Sequence, residues 1–103
     1  MNRTCTKNII DKEGQSVTLM GWVDVRRDHG KLLFVDLRDR TGIAQVVFVG
    51  KELELYAKAD ELRSEWVIRV KGKVKERPEK MVNPEIETGK IELEPLELEV
   101  IGM

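Results

Sequence analysis

Cysteine and histidine each occur once in this chain of 103 residues. A lone Cys5 excludes an internal disulfide and leaves zinc without ligand-spaced partners, a usage that fits a reducing compartment. His29 lies in a turn-like stretch with no nucleophile beside it, so no acyl-transfer pair can be read around it. The chain also lacks a Gly-rich phosphate loop of the P-loop or dinucleotide type, and it lacks clustered metal ligands. No apolar run approaches the length of a membrane span, and Met1-Asn2-Arg3-Thr4 does not read as a secretory signal. These absences lead us to expect a cytoplasmic, non-catalytic chain without membrane contact.

A surplus of positive charge is missing as well. Lys plus Arg number 18 against 19 Asp plus Glu, a net charge of −1. A non-specific nucleic-acid binder is normally far more basic. If the chain binds RNA, a local basic patch must carry the contact. Acid collects late, at Glu85, Glu87, Glu92, Glu94, Glu97 and Glu99. Base collects at Arg26-Arg27 and along Arg69, Lys71, Lys73, Lys75 and Arg77. What the chain does have is 41% apolar and 36% charged residues, enough for one hydrophobic core and too short for two. The wealth of Lys and Glu would also fit a thermophilic source. No internal repeat or low-complexity segment interrupts it.

From Ser16 onward the apolar pattern has period two. Val17, Leu19, Gly21, Val23 and Val25 share a side, as in a long half-buried strand, with Gly21 suited to a bend or bulge. Arg27-Asp28-His29-Gly30 supplies turn chemistry. Lys31 to Arg38 reads as a second strand, with Leu33, Val35 and Leu37 facing one way and Phe34, Asp36 and Arg38 the other. Asp39-Arg40-Thr41-Gly42 is a tight connection, its Gly suited to a positive φ, and Asp36, Arg38, Asp39 and Arg40 read as ion pairs closing that hairpin. Ile43 to Val49 is a third strand with two apolar faces. Lys51 to Arg63 changes to helical spacing through Leu55, Ala59 and Leu62, flanked by Leu53 and Tyr56. Trp66, Ile68, Val70, Gly72 and Val74 mark a fourth strand. A polar loop from Arg77-Pro78 to Thr88-Gly89 follows. The last strand, Lys90 to Ile101, shifts its apolar phase from Ile91 and Leu93 to Leu96, Leu98 and Val100, with Pro95 at a bulge or edge.

Three strands, a helix and two strands make an all-β, five-stranded Greek-key barrel of the OB type, with the helix between the third and fourth strands. An SH3-like barrel has no place for that helix. The binding face of an OB barrel lies on its second and third strands, flanked by the first-to-second and fourth-to-fifth loops. Phe34 is a large aromatic among polar neighbours on that face. Packing under the long loop and stacking on a base are both open to it, and stacking is worth roughly 1–3 kcal/mol per base. Gln45 can read a base edge with one acceptor and two donors. Arg26 and Arg27 can take phosphates or stack. Glu92 can accept from the N1–H and N2–H edge of guanine.

Together, Gly21-Trp22-Val23, Arg26-Arg27-Asp28-His29-Gly30, Leu33 to Arg40 and Gly42 to Phe48 resemble the N-terminal anticodon-binding domain of aspartyl-tRNA synthetases. Leu62-Arg63-Ser64-Glu65 continues the likeness. Arg77-Pro78-Glu79, Val82-Asn83-Pro84 and Thr88 to Glu92 are similar to the bacterial branch. The resemblance covers nearly the whole chain, residues 1–103, as a single domain. It implies that the partner is the anticodon loop of tRNA for aspartate, read as guanine, uracil, cytosine. Phe34 would stack on the middle base beside Gln45 and Arg27, and Glu92 would read the first base. Arg77 and Asn83 would hold the remaining base and nearby backbone. His29 at its loop position suggests that tRNA for asparagine is a second partner, whereas Lys80 points towards strict discrimination. The family's catalytic domain, with its ATP and Mg, is not among these residues, so the chain is expected to be an excised or free-standing domain. Such a domain is expected to be monomeric, and the parent enzyme a homodimer. A general single-strand binder and a protein-interaction barrel are the competing readings.

Overall fold

The computed structural model describes residues 4–86 and 88–103, with the side chains of Lys7 and Leu53 outside the described set. Met1, Asn2 and Arg3 of the start that does not read as a signal, and the acidic Glu87, therefore fall outside it. A 3-10 turn, Thr6–Asp11, precedes β1 (Ser16–His29), β2 (Leu32–Asp39) and β3 (Gly42–Val49). Next come α1 (Leu53–Asp60), β4 (Val67–Glu76), a 3-10 turn at Glu79–Met81 and β5 (Ile91–Gly102). The strands close a barrel in the order β1-β2-β3-β5-β4, with β4 returning to β1. All ladders are antiparallel except that of β3 with β5, which run parallel at Val46 and Leu93. This is the OB arrangement expected from the element order.

Period-two alternation carries the core. Val17, Leu19 and Val23 of β1, Leu33, Val35 and Leu37 of β2, and Ala44, Val46 and Phe48 of β3 are buried together. Ile68, Val70 and Val74 of β4 and Ile91, Leu93 and Leu98 of β5 complete the set. Helix α1 closes one end with Ala59, and Leu62 just beyond it is fully buried. The helix is shorter than its sequence spacing suggested. Its last turn is held from outside, because the Arg26 guanidinium donates to the carbonyls of Asp60 (2.6 Å) and Leu62 (2.9 Å).

Several expectations change. Gly21 is not itself the bulge; the register shifts between Val23 and Val25, and Val25 turns out to solvent. Glycine is required at 21 because a Cβ there would come within 2.2 Å of the Arg38 carbonyl oxygen. Arg27-Asp28-His29 is strand rather than turn, and the hairpin closes through Gly30 (φ +60°) and Lys31. The second hairpin is not closed by ion pairs around Asp39. That carboxylate instead accepts from the Thr41 N–H (2.7 Å) and hydroxyl (2.6 Å) and from the Thr6 N–H (2.8 Å). In β5 the bulge falls beside Pro95 as expected, but it expels Leu96, which is 56% exposed, and Val100 is exposed as well.

Candidate nucleic-acid interface

The outer surface of β1, β2 and β3 is assembled by register. Arg27 of β1 lies opposite Phe34 of β2, and Phe34 opposite Val47 of β3. One pleat further, Val25, Asp36 and Gln45 form the next row. Side chains directly opposite on one face have Cβ atoms about 5 Å apart, so these six form one continuous patch. Phe34 is half-buried, its ring in T-shaped contact with His29 at 6.0 Å between centroids and 83° between planes. Its face is therefore neither sealed in the core nor fully solvated. Packing has been only partly satisfied.

Around that ring the polar groups are unusually buried for a surface. Gln45 is 5% exposed, and its Oε1 has no hydrogen-bond partner. A buried polar atom left unpaired costs about 1–3 kcal/mol, which marks it for a donor from outside the chain. The Arg27 guanidinium meets the Asp36 carboxylate at 3.1 Å. Burial pushes Asp36 above the usual carboxylate range, aided by the charge of Asp24 and opposed by Arg27. Asp24, the extra residue of the bulge, pairs with Arg38 at 3.2 Å.

The β4–β5 connection supplies a second cluster. Arg77 has a side chain only 4% exposed, with its Nε 3.3 Å from Glu92. The pair is close but not aligned as a hydrogen bond, so that Nε–H is buried without an acceptor. Burial raises Glu92 above its ordinary value against the pull of Arg77 and Lys75. The loop between them is shaped by its own backbone. Arg77 N–H donates to Lys90 (2.8 Å) and Asn83 N–H to Gly89 (3.0 Å), and a Cβ at 89 would sit 1.6 Å from the Asn83 carbonyl oxygen. Asn83 Oδ1 accepts from the Glu85 N–H at 3.0 Å, so its amide N–H groups are what it can offer a ligand. Thr88 is buried and donates its hydroxyl to the Ile43 carbonyl, fastening the loop to β3.

The structure thus brings Phe34, Gln45, Arg27 and His29 together on one face, with the Arg77–Glu92 pair and Asn83 at the β4–β5 connection. It removes Arg26 from the group. That side chain is spent on the end of α1 and on Asp28 and Asp60, its pKa raised by those carboxylates against the effect of burial. Lys80 stands exposed on the 3-10 turn of the connection. The basic run of β4 is the outward side of a strand, matched by acid across the ladder. Arg69, Lys71, Lys73 and Lys75 lie opposite Glu99, Glu97, Glu94 and Glu92 in the β4–β5 ladder. Arg69–Glu99 and Lys75–Glu94 are ion pairs at 2.5 Å and 2.7 Å. Asp36, on the same face, and Thr88, in the loop, were not among the candidate site residues named from the sequence. For Asp36 the signal was present, since it follows Phe34 by two positions on the same face.

Among the described residues no group of three or more His, Cys, Asp or Glu could hold a metal ion, and no helix is long and apolar enough to cross a membrane.

Known proteins share this arrangement. The tRNA anti-codon family model, described as "OB-fold nucleic acid binding domain", matches residues 17–101. The "Aspartate--tRNA(Asp/Asn) ligase" of Desulfatibacillum aliphaticivorans is 50% identical over 99% of this chain and 18% of its own length. The protein of the same name from Corynebacterium glutamicum (strain R) is 54% identical over 99% of this chain and 17% of its own. The chain therefore spans less than a fifth of the curated relatives it matches. Asparaginyl-tRNA synthetase from Pyrococcus horikoshii superposes with a TM-score of 0.81 at 30% identity, over 99% of this chain and 23% of that one. Aspartyl tRNA synthetase from Entamoeba histolytica, at 17% identity and a TM-score of 0.87 over 100% of this chain and 22% of that one, shares the fold. With the barrel, its polar face and the matched span in agreement, the chain belongs to the family of tRNA anti-codon OB-fold nucleic acid binding domains.

Proposed function

We propose that this domain reads the anticodon loop of tRNA for aspartate, guanine-uracil-cytosine, as the recognition module of an aspartate–tRNA ligase. The observation that carries the reading is the half-buried Phe34 ring beside a buried Gln45 whose Oε1 has no partner. A ring of this kind gains most from a flat, unpaired base, and the amide supplies edge readout next to it. In this reading Phe34 stacks on the middle base, and Arg27 and Gln45 bond its edge. Glu92 accepts from guanine. Arg77 and the amide N–H groups of Asn83 hold the third base and the adjoining backbone. Activation of aspartate, with ATP and Mg, belongs to the rest of such a ligase, which would work as a homodimer in the cytoplasm. No step of it runs through these residues.

The names of the relatives, which include both aspartate and asparagine tRNAs, favour a second partner. His29, in T-shaped contact with the Phe34 ring, is the residue that would relax discrimination at the third base. Anticodon stem-loops differing by one base test the whole reading. Changing the middle base should lower affinity at least tenfold, and the asparagine loop should bind nearly as well as the aspartate loop. Equal binding to every loop would instead favour a general single-strand binder.

A further inference from the structure

We infer that Asp36 is a positioning residue for base selection: it holds the Arg27 guanidinium flat beside Phe34 and keeps it from the phosphates. The inference rests on the anticodon reading. Its starting point is that a carboxylate lies buried on a face offered to a polyanion. Asp36 has a side chain 12% exposed, while its partner Arg27 is 48% exposed, and a single contact of 3.1 Å joins them. An ion pair with one half in water contributes little to stability, so stability alone gives no reason to bury the acid. Geometry gives a reason. Arg27 sits directly opposite Phe34 across the β1–β2 ladder, and Asp36 follows Phe34 by two residues on the same side. The carboxylate therefore draws the guanidinium along the strand to the edge of the ring. A guanidinium has five N–H donors in a rigid plane, so fixing one nitrogen aims the others. Those aimed donors meet the carbonyl edge of a base stacked on Phe34.

Neighbouring charges fit this role. Asp24, which also faces Asp36, is occupied by Arg38 at 3.2 Å, so it does not compete for Arg27. Gln45 stands directly opposite Asp36 on β3. The bonded guanidinium and the amide thus bracket the ring from two adjacent strands. Without the carboxylate, a half-exposed arginine is free to swing to the nearest phosphate. Affinity would then survive in part, whereas selectivity would not.

The test uses the domain with RNA stem-loops carrying the guanine-uracil-cytosine anticodon or a changed middle base, titrated at several salt concentrations. Asp36→Asn keeps the shape and removes the charge. It should reduce the preference for the uracil loop at least fivefold and steepen the salt dependence by about one phosphate contact. In an Arg27→Ala background Asp36→Asn should have no further effect, because its role is exercised through Arg27. Arg27→Lys, which keeps the charge and loses the planar fork, should copy the loss of preference without disturbing Asp36. Unchanged preference and salt slope in Asp36→Asn, or effects that add to those of Arg27→Ala, would overturn the role of Asp36 alone. An unmodified domain without base preference would overturn the anticodon reading beneath it.

Discussion

Phe34 and Gly89 show how differently two single residues can be tied to one site. The ring is half-buried and lies outside the core cluster, so Phe34→Ala should cost roughly 1–3 kcal/mol of RNA affinity and leave the barrel folded. Thermal melting beside the titration would separate the two effects. Gly89 lies in the β4–β5 connection rather than on the strand face, and a Cβ there would sit 1.6 Å from the Asn83 carbonyl oxygen. Gly89→Ala must therefore open the turn that holds Asn83, and a loss of about 2 kcal/mol or more in urea unfolding is expected. Asp36 and Asp39 respond to pH in opposite senses. Asp36 is raised by burial, so the folded state binds its proton more tightly than the unfolded chain does. Its contribution to stability is present below the ordinary carboxylate value of about 4 and is lost as pH rises through the raised value. Asp36→Asn should accordingly unfold at an equal or higher urea concentration at neutral pH. Burial would raise Asp39 as well, but hydrogen bonds from Thr41 and Thr6 outweigh it and hold the group low. Its contribution is present above the ordinary value and lost as pH falls through the lowered one.

At the scale of elements, the strands were legible because one face of each is buried and the alternation is clean in β1, β2 and β4. The phase failed where a bulge intervenes. Val25 and Leu96 are apolar residues placed outside by register shifts beside them, and no alternation pattern records an unpaired residue. The outer face shared by Phe34, Gln45 and Arg27 was legible because strand parity fixes their side. Arg26 was misread because nothing local says that its guanidinium spans to a helix more than thirty positions on. Arg26→Ala offers a direct check on that correction. Loss of charged hydrogen bonds to the Asp60 and Leu62 carbonyls should lower stability by about 1–3 kcal/mol and leave the preference among anticodon loops unchanged. A changed preference with normal stability would return Arg26 to the RNA site.

Charge belongs to the whole molecule. Sequence order separates a basic strand from an acidic one, and the fold lays them side by side so that each row cancels. The barrel therefore meets RNA without a broad positive field, and the arginines at the face are each matched by a carboxylate, Arg27 by Asp36 and Arg77 by Glu92. In the proposed reading, recognition rests on stacking and edge contacts, which salt hardly screens. We expect the salt dependence of cognate binding to correspond to no more than about two phosphate contacts, measured as the slope of log affinity against log salt. A steep slope would reveal a backbone binder. The contact between Phe34 and the middle base can be isolated by a double-mutant cycle with stem-loops that carry either uracil or an abasic sugar at that position. If the ring stacks on that base, the abasic loop binds the unmodified domain more weakly, and Phe34→Ala reduces that difference by about 1–3 kcal/mol, leaving only the share of the edge contacts from Arg27 and Gln45. A Phe34→Ala domain that still discriminates the two loops as strongly as the unmodified one would contradict the account.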